Sequence, residues 1–139
     1  MSTREVVYFT GVWDLLHTGH VRALQAARAL GDCLVVGVNT DAFTASRKPG
    51  RPIIPFAQRC EVLRALGCVD YVVPTDSSLN FDPIDSFEVT IRAVGPGYGA
   101  YPEQRQALVE MLQRGIRVVY LPRTAGVSTS EIVERVKDA

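Results

Sequence analysis

The stretch FTGVWDLLHTGH at residues 9–20 decides how the rest of the chain is interpreted. It ends an apolar run, breaks at Gly11 and leads into a helix that the sequence predicts to begin near Thr18. His17 and His20 stand three residues apart and therefore share one face of that helix. A glycine lets a ligand approach the backbone closely, and a helix start offers free N–H groups and a positive dipole end. The stretch predicts a site for an anionic substrate at a strand-to-helix corner.

Two histidines at this spacing also occur as one surface residue and one half-buried residue with no function. The chain contains 2 histidines in 139 residues, and both lie in this corner. That concentration favours a functional pair.

The composition is that of an ordinary globular protein. A chain of 139 residues is long enough for its own core, so 1–139 is expected to be one domain. Lys+Arg and Asp+Glu number 15 each, which gives no support for a nucleic-acid or membrane partner. No apolar run is long enough to span a bilayer, and the N-terminus lacks a signal-peptide pattern. Three cysteines without metal-type spacing suit buried thiols and a cytoplasmic protein: Cys33, Cys60 and Cys68.

Apolar strand patterns alternate with helical patterns along the chain. The predicted strands are 5–10, 33–38, 69–73, 91–94 and 116–121, and the predicted helices are 18–30, 55–66, a short one within 83–90, 102–114 and 128–137. The basic stretch 44–54 is predicted to be a loop. This rhythm predicts an α/β fold, a single Rossmann-like doubly wound domain whose five-stranded parallel sheet carries helices on both faces. Ligands bind such sheets outside the carboxyl ends of the strands, so the loops that follow strands should converge there.

A second informative stretch, RTAGVSTSE, begins at Arg123. Ser128 lies three residues before Glu131, which is the spacing of a helix capping box. The hydroxyls at 128–130 and the helix N-terminus can bind phosphate, and Arg123 adds a planar charge that holds phosphate oxygens bidentately. A plain capped helix with a surface arginine is the alternative, and the histidine pair at the same predicted edge favours phosphate binding.

HTGH at 17–20, with its preface GVWDLLH, and RTAGVSTS at 123–130 together resemble the small cytidylyltransferase-like nucleotidyltransferases. That family includes glycerol-3-phosphate cytidylyltransferase and the adenylyltransferase domain of ADP-heptose synthesis. GDCLVVGVNTD and PFAQRCEVLRALGCVDYVV are also similar to the family. The resemblance implies that an acceptor phosphate attacks the α-phosphorus of a nucleoside triphosphate and that pyrophosphate leaves. Because no covalent enzyme intermediate is needed, the protein positions substrates and neutralises charge.

The same resemblance implies the residues of the nucleotide site. Its nucleotide-binding residues are Thr10, Gly11, Val12, Trp13, His17, His20, Arg123, Thr124, Ser128 and Thr129, and its catalytic residues are His17, His20, Lys48 and Arg123. Imidazole N–H groups would stabilise the charged transition state. Backbone N–H groups of Gly11 and Val12 would lie near the α-phosphate, while Arg123 with the serine and threonine hydroxyls would hold the β- and γ-phosphates.

Lys48 matches a phosphate-contacting lysine of the relatives, and Arg47 and Arg51 flank it. For Trp13, core packing is favoured over stacking on a ligand.

Three residues are implied to bind the acceptor: Asp14, Arg59 and Tyr98. Asp14 retains the family's G-x-[FY]-D pattern, where hydrogen bonding within the turn is favoured and metal contact is the alternative. Arg59 matches an arginine that faces acceptor or phosphate, and an ion pair on the helix is the alternative. Gly97 stands where many relatives carry the acid of G-x-D-[YW], so the identity of the acceptor stays open.

The predicted function is transfer of CMP from CTP to a small phosphorylated acceptor, a glycerol-3-phosphate-like polyol or a sugar phosphate. The chain length and RTAGVSTS favour CTP, whereas RPIIPFAQR favours the alternative of an adenylyltransferase using ATP on a heptose-1-phosphate-like sugar. A catalytically silent nucleotide-binding protein is the third interpretation. The chain has no G-x-G-x-x-G after the first strand and no GxxxxGK[ST], which argues against dinucleotide and phosphate-loop folds.

The nucleotide implies Mg²⁺ as a cofactor, held by phosphate oxygens and water rather than by protein ligands. The family resemblance suggests a homodimer.

Overall fold

The computed structural model describes residues 4–139, and one parallel sheet with strand order β3-β2-β1-β4-β5 organises them. The strands are β1 Val6–Gly11, β2 Cys33–Asn39, β3 Tyr71–Thr75, β4 Ile91–Val94 and β5 Arg117–Tyr120. The helices are α1 Thr18–Arg28, α2 Asp41–Arg47, α3 Phe56–Arg64, α4 Asp82–Ser86, α5 Pro102–Gln113 and α6 Thr129–Asp138. This architecture confirms the predicted five-stranded, doubly wound α/β fold.

The central strand β1 is buried on both faces, because its side chains alternate between two hydrophobic clusters. Val7 and Phe9 belong to the cluster that includes Leu24 of α1 and Leu63 of α3. Val6 and Tyr8 belong to the opposite cluster, which includes Ile84 of α4 and Met111 of α5. The apolar runs in the sequence are therefore strands covered by helices on both sides.

The order of the strands in the sheet predicts where a ligand binds. From β1 the sheet grows through β2 to β3 on one side, and through β4 to β5 on the other. The connections therefore reverse direction between β1 and β4, and ligands of doubly wound sheets bind outside the carboxyl ends of the strands at such a switch point.

Two elements differ from the prediction. Helix α2, Asp41–Arg47, occupies part of the stretch 44–54 that was predicted to be a loop, because the Thr40 hydroxyl caps it by accepting the N–H of Phe43. Strand β3 begins at Tyr71 and continues through Pro74. Proline is tolerated there because β3 lies at the edge of the sheet, where an N–H donor is not needed on the open side.

Within residues 4–139, no helix has both the length and the apolar character needed to cross a membrane.

Candidate active site

A cleft of about 550 Å³ lies where the loops after β1, β4 and β5 meet the start of α6. All ten residues that the resemblance assigned to nucleotide binding line this cleft, and so do Lys48 and Asp14. Four basic side chains face it: Arg47, Lys48, Arg51 and Arg123. Asp14 is the one acidic residue in its lining among the residues described. A chain with no net charge therefore concentrates positive charge at one crevice.

The turn between β1 and α1 holds a strained backbone. Trp13 and Leu15 have φ angles of 58° and 51°, in the left-handed region that residues with side chains seldom adopt. The Trp13 indole is buried, donates its Nε1–H to the carbonyl of Gly37 at 3.0 Å and packs edge-on against Phe9. These contacts assign Trp13 mainly to core packing, the role that the sequence favoured.

The two histidines cap helix α1 with the same atom of each ring. His17 Nδ1 accepts the N–H of Gly19 at 3.0 Å, and His20 Nδ1 accepts the N–H of His17 at 3.1 Å. A neutral imidazole whose Nδ1 accepts carries its proton on Nε2. Both rings consequently present an Nε2–H donor, and their centroids are 3.9 Å apart.

Burial keeps both imidazoles neutral at physiological pH. It lowers the pKa of His17, and it lowers the pKa of His20 to about 4, with the nearby His17 acting in the same direction and Asp14 opposing it. The glycine between them is required for this packing, because a Cβ at Gly19 would lie 2.8 Å from the His17 ring. The HTGH motif thus builds a stacked pair of hydrogen-bond donors.

Helix α6 brings its hydroxyls to the histidine turn. Thr129 Oγ1 donates to the carbonyl of Asp14 at 3.0 Å and lies 3.5 Å from His17 Nε2. Ser128 caps α6 by accepting the N–H of Glu131, as the spacing predicted. Lys48 Nζ donates to Ser130 Oγ at 3.3 Å, and this contact spans the cleft.

The structure corrects the expectation for Arg59. Its side chain is 1% exposed, and it does not line the cleft. It donates Nε–H to the Ile54 carbonyl, Nη1–H to the Val12 carbonyl and Nη2–H to the Asp41 carboxylate. Since these acceptors engage all three nitrogens, Arg59 holds the strained turn in place and is the ion-pair partner that the sequence offered as an alternative.

The Asp14 carboxylate is likewise engaged by the protein. It is buried and accepts the backbone N–H groups of Ile53 at 2.8 Å and Ile54 at 2.9 Å. This geometry gives Asp14 a structural role, which the sequence favoured over an acceptor contact, but the hydrogen bonds join the turn to the segment before α3 instead of lying within the turn.

Tyr98, like Arg59, does not line the cleft, and it lines a smaller neighbouring cavity instead. Gly97 is exposed, and a Cβ there would meet no atom within 4 Å. No acidic residue among those described lines the neighbouring cavity.

Sequence reasoning missed Arg92, a buried residue of β4 in that second cavity. The signal was present, because an arginine inside a short apolar strand, IRAV, is unusual.

Residues 8–135 match the family model described as cytidylyltransferase-like. The chain belongs to this family. Its enzyme class is therefore nucleotidyltransferase, as the motifs implied.

Known relatives are longer proteins. The bifunctional protein HldE of Syntrophotalea carbinolica is 41% identical over 136 residues, which are 97% of this chain and 27% of that protein. HldE of Streptomyces coelicolor is 40% identical over 131 residues, 94% of this chain and 28% of that protein. The chain therefore spans little more than a quarter of the length of these relatives.

Solved structures agree on the fold. A lipopolysaccharide core biosynthesis protein from Thermoplasma volcanium superposes with a TM-score of 0.69 at 26% identity, covering 88% of this chain and 98% of that one. Pantothenate synthetase from Thermus thermophilus superposes with a TM-score of 0.62 at 14% identity, covering 99% and 65% of the two chains. At that identity the second likeness concerns the fold alone.

Proposed function

We propose that this chain transfers AMP from ATP to the phosphate of a sugar phosphate, with release of pyrophosphate. The 41% identity to HldE, together with the resemblance of the sequence to the adenylyltransferase domain of ADP-heptose synthesis, supports ATP over the CTP that the sequence analysis placed first. The acceptor is correspondingly a sugar 1-phosphate of the heptose type. The observation that carries the proposal is the stacked histidine pair, whose two Nε2–H donors stand in a cleft lined by four cations.

The chemistry needs donors rather than a base. A phosphate monoester loses its second proton near pH 6, so at neutral pH its oxygen attacks without a proton acceptor. That oxygen forms a bond to the α-phosphorus, the bond from the α-phosphorus to the bridging oxygen breaks, and pyrophosphate leaves with the electron pair. The site agrees with this requirement, because the Nδ1 atoms of both histidines and both Asp14 oxygens already accept backbone N–H groups.

Hydrogen-bond donors and cations around the cleft neutralise the negative charge of the phosphates. The Nε2–H groups of His17 and His20 donate to oxygens of the α-phosphate as negative charge increases there. Arg123 and Lys48 hold the pyrophosphate part, with the N-terminus of α6 behind it. The two histidines are held before reaction by the hydrogen bonds that cap α1, and Lys48 is held by its hydrogen bond to Ser130, which lowers the reorganisation that the reaction requires.

The donor set fits a Mg²⁺ ion that enters with the triphosphate. In the part of the chain that the structure describes, no group of three acidic, histidine or cysteine side chains is arranged to hold a metal. Such an ion would be held by the triphosphate and by water rather than by protein side chains, and it would offset the negative charge of the phosphates.

The test is pyrophosphate release with each of ATP, CTP, UTP and GTP against heptose 1-phosphate, mannose 1-phosphate and glycerol 3-phosphate. We expect release that depends on both ATP and a sugar 1-phosphate. Arg123→Gln should lower that rate by about tenfold or more through loss of a charged phosphate contact. Arg117→Gln, at an exposed position outside the cleft, serves as the matched control.

Turnover with CTP but not ATP would contradict the proposed base and restore the first prediction. If ATP raises the Tm of the protein but no acceptor leads to release of pyrophosphate, the protein is instead a catalytically silent nucleotide-binding protein.

A further inference from the structure

A second cavity of about 160 Å³ adjoins the nucleotide cleft. The two share residues at the ends of β1 and β2, among them Thr10 and Asn39, and they also share Arg47. Hydroxyl and amide side chains line much of the cavity, including Ser77, Ser78 and Asn80. Its size and polarity suit a small polyhydroxylated molecule next to the nucleotide.

Arg92 is the buried charge of this cavity. It is 4% exposed, and its guanidinium lies between the rings of Tyr8 and Tyr98, 5.2 and 5.1 Å from their centroids. Its Nη1–H donates to the carbonyl of Ala93, and its Nη2–H donates to Thr10 Oγ1 at 2.8 Å. Thr10 therefore links the buried arginine to the nucleotide cleft.

No carboxylate balances this charge within residues 4–139. No acidic residue lines the cavity, and none forms an ion pair with Arg92. Burial raises the pKa of the Tyr8 phenol, so that ring also supplies no negative charge. An arginine held out of water without a counter-ion is costly, and an anion that binds beside it removes part of that cost.

We propose that the cavity is the acceptor subsite, with the hydroxylated skeleton of the acceptor inside it and the acceptor phosphate at its mouth beside Thr10. This inference rests on the proposed function. Because Thr10 Oγ1 accepts from Arg92, its own O–H is left to donate to a phosphate oxygen. The acceptor phosphate then lies at the end of β1, on the side from which it reaches the nucleotide held by the histidine pair.

The charges also define the acceptor class. The cavity contains two cationic side chains, Arg92 and Arg47, and Arg47 is paired with Glu103. A skeleton that carries an amine would place a further positive charge beside Arg92 without a carboxylate to receive it. The subsite therefore favours phosphates of neutral sugars or polyols and excludes phosphoethanolamine and phosphocholine.

The direct test reduces the volume of the cavity at Ser78, a half-buried residue of its wall. Ser78→Leu places an apolar side chain in the cavity, and Ser86→Leu makes the same change at an exposed position that lines neither the cavity nor the cleft. Ser78 Oγ accepts a hydrogen bond from Arg47 Nη2 at 3.2 Å, and Arg47 keeps its ion pair with Glu103 when that bond is lost. We therefore expect Ser78→Leu to raise the acceptor KM by about tenfold and to change the KM for ATP much less. Ser86→Leu should leave both constants unchanged. An acceptor KM unchanged in a folded Ser78→Leu protein would overturn the inference.

A second pair of variants addresses the hydroxyl. Thr10→Val keeps the side-chain shape and removes the O–H donor, so the acceptor KM should rise, and Thr10→Ser should restore it. Equal acceptor KM values in Thr10→Val and Thr10→Ser would contradict the role of the hydroxyl.

Calorimetric titration of heptose 1-phosphate and phosphoethanolamine, in the presence of a non-hydrolysable ATP analogue, separates the two proposals. If the wild type binds heptose 1-phosphate and Ser78→Leu does not, the subsite is supported. That holds even if the wild type releases no pyrophosphate, because absence of release contradicts only the proposed function. Two results would overturn the subsite and leave the proposed function standing, provided that the wild type turns over. One is equal affinity of Ser78→Leu and Ser86→Leu for heptose 1-phosphate. The other is binding of phosphoethanolamine as tight as that of heptose 1-phosphate.

Discussion

At the scale of single residues, each histidine combines helix capping with hydrogen-bond donation, and the two roles are carried by different ring atoms. Nδ1 of His17 accepts a backbone N–H, while Nε2 lies 3.5 Å from Thr129 Oγ1 at the cleft and, in the proposed function, donates to the substrate. His17→Asn keeps an oxygen that can cap the helix but removes the Nε2–H donor. We expect turnover to fall by roughly a hundredfold or more, with a free energy of unfolding close to that of the wild type.

His17→Ala is the comparison for this prediction, because it loses the cap as well as the donor. Its free energy of unfolding should fall by about 1 kcal/mol relative to His17→Asn, measured by urea denaturation. Wild-type pyrophosphate release by His17→Asn would show that the ring is only a cap.

The buried histidine also makes stability depend on pH. Burial lowers the pKa of His20 to about 4 from its ordinary value of 6.5. Between these values the unfolded chain binds a proton that the folded protein does not, so stability falls as the pH is lowered through this window. His20→Asn has no such proton to bind, and its Tm should decrease less between pH 6.5 and 4 than the wild-type Tm does. Parallel Tm curves for the two proteins over that range would contradict the burial of a neutral ring.

Single residues also mark a limit of sequence reasoning. The spacing of His17 and His20 was sufficient to predict that both serve one phosphate site. The hydrogen bonds that fix which nitrogen faces the substrate depend on the extended backbone at His17, where φ is −136°. A residue pattern does not encode that angle, so the donor atom was not predictable.

At the scale of elements, the corner formed by α2 and α3 is where the sequence was least informative. The segment 44–54 contains proline and glycine, and its composition resembles that of a loop. The Thr40 cap that starts α2 is a local signal, but the role of Arg59 depends on three acceptors that lie 5, 18 and 47 residues away along the chain. Because that network is long-range, residue type alone suggested a substrate contact.

The network leads to a prediction for stability. Arg59→Met removes a buried guanidinium that donates to the half-buried carbonyls of Val12 and Ile54, so it should lower the free energy of unfolding by roughly 2–3 kcal/mol. Arg64→Met is the matched control on the exposed face of the same helix, and it should change that free energy by less than about 0.5 kcal/mol. Urea denaturation of both variants is the measurement. If Arg59→Met unfolds like the wild type and only loses ATP affinity, Arg59 is a ligand contact after all.

At the scale of the whole molecule, the sequence was most informative about topology. Strands alternating with helices allow few arrangements, because crossovers are right-handed and ligands gather at the carboxyl ends of the strands. These two rules predict that the loops that follow the strands converge at one edge of the sheet. The choice of nucleotide base was not accessible in the same way, since it depends on a few contacts that strand and helix patterns do not specify. The homodimer suggested by resemblance stays a prediction, and sedimentation tests it.

The distribution of charge over the whole molecule makes nucleotide affinity depend on salt. The chain has no net charge, yet four basic side chains face the cleft and its one acidic residue in the described part of the chain is occupied by backbone N–H groups. Raising the salt concentration from about 0.05 M to about 0.5 M shortens the screening length from more than 10 Å to less than 8 Å and weakens attraction to a triphosphate. We expect the Kd of ATP to rise on the order of tenfold over this range, measured by calorimetry.

Adenosine carries no phosphate, so its Kd should stay nearly constant, and Arg123→Gln should reduce the salt dependence for ATP. If adenosine and ATP weaken equally, salt acts on the fold rather than on the phosphate site, and the assignment of the cleft cations to the triphosphate fails.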